Sequence, residues 1–243
     1  MSDIGAEELQ LFKPFDDRLE ISIQSFINPD GSLNGKAMTA DWFPQVKPDI
    51  FISHSRKNMV PATAFAAFVK REFGLTAFID GLVWKHSDKL IKMIDQQFNP
   101  NPAAADYYSS RNQSTSHVHM MLVTALCEVI DNSECLIFLN TPDSITPRET
   151  IIATESPWIY AEIAMSRLIR QRSKESHREE TRTYTQKSLD ESFQKPFIMK
   201  HEVALDHLTS LNFDDMVSWY NVAKGKTKFK ALDLLYDFGT FRT

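Results

Sequence analysis

Asp49-Ile50-Phe51-Ile52-Ser53-His54-Ser55 is the stretch that decides the fold. A short apolar run that ends in small polar residues suits a parallel strand buried on both faces. A helix is expected next. Asn58 stands where a cap is needed, and Pro61 falls in the first turn, where a missing N–H costs little. Phe65, Phe68, Val69 and Phe73 then recur at helical spacing before Gly74 closes the element. Leu75 to Asp80 reads as a second strand.

Further along, Ser87 to Phe98 reads as a helix with Leu90, Ile91 and Ile94 on one side. Residues 99–116, rich in Asn, Pro, Ser and Ala, read as a loop. Val118, Met121, Leu122, Ala125, Leu126 and Val129 give the clearest amphipathic helix of the chain, and Cys135 to Leu139 gives a third strand. Residues 140–154 read as a loop. Ser156 and Pro157 then open a helix that runs to about Arg170. A polar segment follows at about 171–192, then a late strand at Pro196-Phe197-Ile198-Met199 and a helix from Phe213 to Val222.

Strands alternating with helices define an α/β class, a flavodoxin-like parallel sheet with helices on both faces. The expected organisation is an N-terminal extension at 1–46, a domain at 47–225 with an insertion at about 95–117, and a C-terminal tail at 226–243. In open sheets of this kind ligands bind beyond the carboxyl ends of the strands, where strand order reverses. The loops after Ser53 and after Asn140 would meet there.

Composition bounds the rest. Hydrophobic residues make up 42% of 243, enough for a sizeable core. The net charge of −5 argues against a nucleic-acid partner. Two cysteines without metal-type spacing fit a reducing compartment. No apolar run approaches the length of a membrane span, and no secretory leader is visible. A cytoplasmic protein with no membrane partner is expected, and no metal site.

Glu162 is the sharpest candidate for chemistry. Trp158, Glu162, Met165 and Ile169 share one helical stripe, three of them apolar. A carboxylate on such a stripe is costly unless it is paired or lies at a cavity. Both readings, a functional acid and a structurally paired one, are open from the pattern. Ser53-His54-Ser55-Arg56-Lys57 could meet phosphates through its hydroxyls and backbone amides, although it lacks Gly-rich spacing. Asp80 ends the second strand and Trp158 could wall a pocket, but a turn-initiating Asp and a core Trp fit the pattern too.

Several segments together resemble the Toll/interleukin-receptor (TIR) family, over about residues 48–170. They are Asp49 to Ser55, Gly74 to Asp80, Trp84 with Ser87 to Ile91, Ala125 to Ile130 with Cys135 to Leu139, and Ser156 to Ile163, whose Ser-x-Trp-x-x-x-Glu order is similar to a helix of that family. The resemblance implies an enzyme that cleaves NAD as its substrate, needs no separate cofactor and releases nicotinamide. ADP-ribose or a cyclic isomer remains, in the family's bacterial members as a signal in anti-phage defence. It implies Glu162 as the catalytic residue, with Ser53, His54, Ser55, Arg56, Asp80, Trp84 and Trp158 lining the substrate site. It also implies self-assembly through TIR–TIR contacts and a downstream effector that senses the product. The alternatives are a non-catalytic adaptor and a nucleotide sensor. The chain departs from the family where Arg56, Lys57 and Asn58 stand in place of an acidic residue, and where the usual Pro-Gly after the second strand is missing.

Overall fold

The computed structural model describes residues 23–43, 46–79, 87–142, 144, 146–148, 151–154, 156–169, 173–178 and 201–240. In chain order the elements are α1 (Gly35–Trp42), β1 (Ile50–Ser53), α2 (Met59–Phe73), β2 (Ala77–Ile79), α3 (Ser87–Phe98) and α4 (Tyr107–Asn132). There follow β3 (Cys135–Phe138), β4 (Thr146–Arg148), β5 (Ile151–Thr154), α5 (Pro157–Leu168), α6 (Lys174–Arg178), β6 (His201–Glu202), α7 (Phe213–Ala223) and α8 (Phe229–Thr240). The chain divides into two compact units.

One unit takes in Met1–Lys47, Asp80–Asn132 and Arg178–Ile198. Its described part is helical, with α3 lying along α4. Leu90, Ile91 and Ile94 of α3 are buried, as are Val118, Leu122, Ala125, Leu126 and Val129 of α4. Both expected faces are therefore the ones that pack. The expected loop at 99–116 is not one throughout, because α4 already begins at Tyr107. Its Ser-rich first turns are weak helix formers whose hydroxyls turn back onto their own helix. Ser114 donates to the Ser110 carbonyl at 3.2 Å and Ser116 to the Asn112 carbonyl at 2.7 Å.

The other unit, Pro48–Ile79, Ser133–His177 and Met199–Thr243, holds the sheet that the first-read stretch implied. Its order is β2-β1-β3, all parallel. All four residues of β1 are buried, as the central position requires. Register is pinned at the start of the strand, where Asp49 accepts from the Thr76 N–H at 2.6 Å and from the Thr76 hydroxyl at 2.7 Å. The helix between β1 and β2 is α2, with Pro61 in its first turn. Gly74 ends it at φ 70°, a conformation that favours glycine, and its N–H closes on the Lys70 carbonyl.

Two other expectations change in this unit. Residues 140–154 contain β4 and β5, which pair antiparallel and continue to β6. The run Ile151-Ile152-Ala153-Thr154 is β-rich but too short to stand out from loop sequence on its own. The expected late strand at 196–199 lies outside the described residues; the observed strand is β6. The stretch expected as a tail is instead core. Ala231 and Leu232 of α8 are fully buried, and the Trp219 indole of α7 donates to the Ala231 carbonyl at 2.8 Å. Phe73 and Phe68 of α2 pack on Trp219, with ring centroids at 4.8 Å and 6.4 Å.

The two thiols sit in protective settings. Burial raises the Cys127 thiol above its ordinary range, and burial pushes Cys135 up to about 12. Both residues keep some exposed surface. A raised thiol stays protonated and is a poor nucleophile. Ellman's reagent at about pH 8 is therefore expected to label both slowly in the folded chain and rapidly in denaturant. Fast labelling of the native protein would contradict these environments.

No helix among the described residues is long and apolar enough to cross a membrane.

Candidate functional site

Buried polar side chains gather beyond the carboxyl ends of β1 and β3. Ser53 ends β1, and His54 and Ser55 follow it; all three are buried. Ser55 caps the short 3-10 turn Arg56–Asn58 by accepting from the Lys57 N–H at 3.3 Å. That turn feeds α2. Leu139, just past β3, donates its N–H to the Ser53 carbonyl at 2.9 Å, so the two strand ends stay side by side.

Glu162 reaches this edge from α5. Ser156 caps that helix by accepting from the Ile159 N–H at 3.3 Å, and Pro157 follows at its start, as the sequence indicated. The buried residues of α5 are Ile159, Glu162 and Ile163. Ile159 and Ile163 form a core cluster with Val203, against which Phe138 and Leu205 pack. The burying face therefore runs through Ile159 and Ile163. It is rotated from the expected Trp158, Glu162, Met165 and Ile169 stripe, which leaves Trp158 only half-buried. Glu162 is the member common to both descriptions.

The Glu162 side chain is 0% exposed, and its Oε2 accepts a hydrogen bond from the Ser53 hydroxyl at 2.6 Å. The two residues stand 109 positions apart in sequence. A short bond from a hydroxyl to a carboxylate is of the strong, charge-assisted kind. Burying a carboxylate is expensive unless it is paired or hydrogen-bonded, and Ser53 supplies one such bond.

A second set of polar contacts joins the two loops of this edge. Asn58 donates from Nδ2 to the Thr141 hydroxyl at 2.6 Å. The Thr141 and Ser144 hydroxyls lie 3.1 Å apart, and Ser144 donates to the Leu139 carbonyl at 2.9 Å. Because the Ser144 proton goes to Leu139, the Thr141 proton is the one shared with Ser144. The chain of donors thus runs in one direction, from Asn58 to the end of β3, an arrangement in which each bond polarises the next. Asn58 occupies the cap position of α2, but its side chain makes no capping bond there. Its cap position is legible in the sequence and its partner, 83 residues away, is not.

Of the expected site residues, the structure brings Ser53 onto Glu162 and places His54 and Ser55, both buried, directly after Ser53. Arg56 opens the following turn and is exposed. Asp80 and Trp84 lie outside the described residues. Asn58, Thr141, Ser144 and Thr154 were not among the candidates. Thr154 is buried at the end of β5, and its hydroxyl accepts from the Ser156 N–H at 3.1 Å. Among the described residues, no cluster of His, Cys, Asp and Glu has the makings of a metal site.

The donor chain yields a prediction. Asn58→Ala removes its first donor from a partly buried network. A loss of about 1–2 kcal/mol is expected, as for a hydrogen bond whose remaining partner stays enclosed. Urea denaturation measures it, and an unchanged midpoint would show that the chain contributes nothing.

A scan against known protein families, a search of curated proteins and a search of solved structures each found no match for this chain.

Proposed function

We propose that this chain is an NAD-cleaving enzyme of TIR-like, flavodoxin-like architecture, with Glu162 as its catalytic carboxylate. The observation that carries the reading is the position of Glu162, tied to Ser53 at the carboxyl end of the central parallel strand. The β2-β1-β3 order supports it, because that order puts a reversal of strand sequence beside β1, where open sheets bind ligands.

The chemistry needs little more than a fixed negative charge. The bond between the ribose and the nicotinamide nitrogen breaks, and its electron pair passes to the cationic ring, which leaves neutral. No general acid is required. The ribose is left with oxocarbenium character, as in glycoside cleavage. A carboxylate already held in place stabilises that charge without reorganising. Water then adds to the ribose and loses a proton, giving ADP-ribose. Attack by an adenine nitrogen gives a cyclic isomer instead. In this scheme the Ser53 hydroxyl holds the Glu162 carboxylate, and His54, Ser55 and Arg56 face the nucleotide.

The complete burial of Glu162 favours a second reading, a binding or assembly module in which Glu162 is a structural acid that clamps β1 to α5. Nicotinamide release from NAD by the wild-type chain, measured beside the Glu162→Gln variant, separates the two. Release by the wild type alone supports the enzyme. NAD left intact by folded wild-type protein supports the module.

A further inference from the structure

The tip of the α7–α8 hairpin carries an unusual charge. The segment Lys224-Gly225-Lys226-Thr227-Lys228-Phe229-Lys230 holds four lysines in seven residues of a chain whose net charge is −5. All four are exposed. The Lys228 N–H bonds to the Phe73 carbonyl at 2.6 Å, which fixes the tip to the end of α2. There α2 adds Lys70 and Arg71, both exposed. Six cations are thereby brought to one end of this unit. One of the six, Arg71, is paired with Glu72 at 2.8 Å, and Glu72 also accepts from the Tyr220 hydroxyl.

Local stability explains part of this set and not the rest. Lys70, Arg71 and Lys224 stand at the carboxyl ends of helices, where cations complement the dipole. Lys228 and Lys230 do the reverse. They stand just before and within the first turn of α8, where positive charge is unfavourable and no acidic residue offsets it. Lys228 is also the one non-glycine among the described residues with positive φ, at 45°. Glycine would adopt that conformation without strain. Two lysines thus occupy places where folding alone would favour other residues, and backbone strain of this kind marks sites kept for another purpose.

We infer that this hairpin tip docks the chain on an anionic lipid surface. A compact group of Lys and Arg is the signature of attraction to acidic headgroups. The tip offers lysine point charges on a short exposed turn, which suits a flat surface. It offers no exposed aromatic ring on which a nucleic-acid base could stack, since Tyr220 and Phe229 are half-buried and Lys224 lies over the Tyr220 ring at 6.0 Å. Screening limits charge effects to about 10 Å at ordinary salt, so the tip meets the surface while acidic residues beyond that range are masked. That no helix among the described residues can span a bilayer is no obstacle, because such docking buries no helix there.

The test is co-sedimentation of the full chain with vesicles of phosphatidylcholine alone and with about a third phosphatidylserine, at low and high salt. Binding is expected only to the anionic vesicles and should vanish at high salt. The triple variant Lys226→Ala, Lys228→Ala, Lys230→Ala should bind on the order of 100-fold more weakly, from the contribution of each lysine near an acidic surface. Lys228→Gly supplies the folding control: it should melt at or above the wild-type temperature and still bind less well. Sedimentation of the triple variant equal to wild type would overturn the proposal. So would a failure of the wild type to sediment with either vesicle, including the case in which duplex DNA or RNA binds it at the same salt.

Discussion

Glu162→Gln is expected to abolish nicotinamide release from NAD, with a loss of at least about 100-fold, the scale on which removing one preorganised charge-stabilising group acts. The variant keeps the shape of the side chain and an oxygen that can still accept from the Ser53 hydroxyl, which now stands 2.6 Å from the carboxylate. It removes the negative charge from a side chain that is 0% exposed. Enclosing a neutral amide costs less than enclosing a carboxylate, which offsets the weaker hydrogen bond. The melting temperature should therefore stay within about 4 °C of wild type, the shift produced by roughly 1 kcal/mol or less in a chain of this size. Activity measured by nicotinamide release and folding measured by circular dichroism must part company in this variant. Wild-type turnover by Glu162→Gln would remove the carboxylate from the chemistry.

The second large effect concerns the fold. Trp219 is fully buried, packs its ring at 4.8 Å from that of Phe73, and donates to the Ala231 carbonyl at 2.8 Å. It therefore ties α2, α7 and α8 together. Trp219→Ala should cost about 3–5 kcal/mol, from the lost burial and the cavity left behind. The Ala231 carbonyl also loses its partner, a further loss of about 1 kcal/mol. Against a total stability of roughly 5–15 kcal/mol, that is a large fraction of what holds the unit folded. Trp219→Phe keeps a ring and loses the donor, so it should fall between the two. Urea denaturation followed by circular dichroism orders the three proteins. Equal midpoints for wild type and Trp219→Ala would mean that the helical hairpin does not hold this unit together.

Local signals made β1, α2 and α5 legible. Each depends on a few neighbouring residues whose conformational preferences are strong: Pro61 and Gly74 around α2, Ser156 and Pro157 at the start of α5. Glu162 stood out for the same reason, as an acid placed among apolar residues at helical spacing. The phase of that helix was harder to read. Which face of α5 turns inward depends on Val203 and Phe138, which no local pattern names. The first turns of α4 read as loop because serine favours loops until its hydroxyl finds a carbonyl one turn back. The bond from Asn58 to Thr141 spans 83 residues, and a sequence offers no sign of which distant hydroxyl a buried amide will meet. The core role of α8 was hidden likewise, because an amphipathic C-terminal segment looks the same whether or not a tryptophan elsewhere reaches for its first carbonyls.

The most direct test of the central claim is product analysis. Concentrated wild-type chain is incubated with NAD, and the mixture is resolved by chromatography. The account expects free nicotinamide together with ADP-ribose or a cyclic isomer in equal amount. Intact NAD at every protein concentration, from a chain shown to be folded, would contradict it.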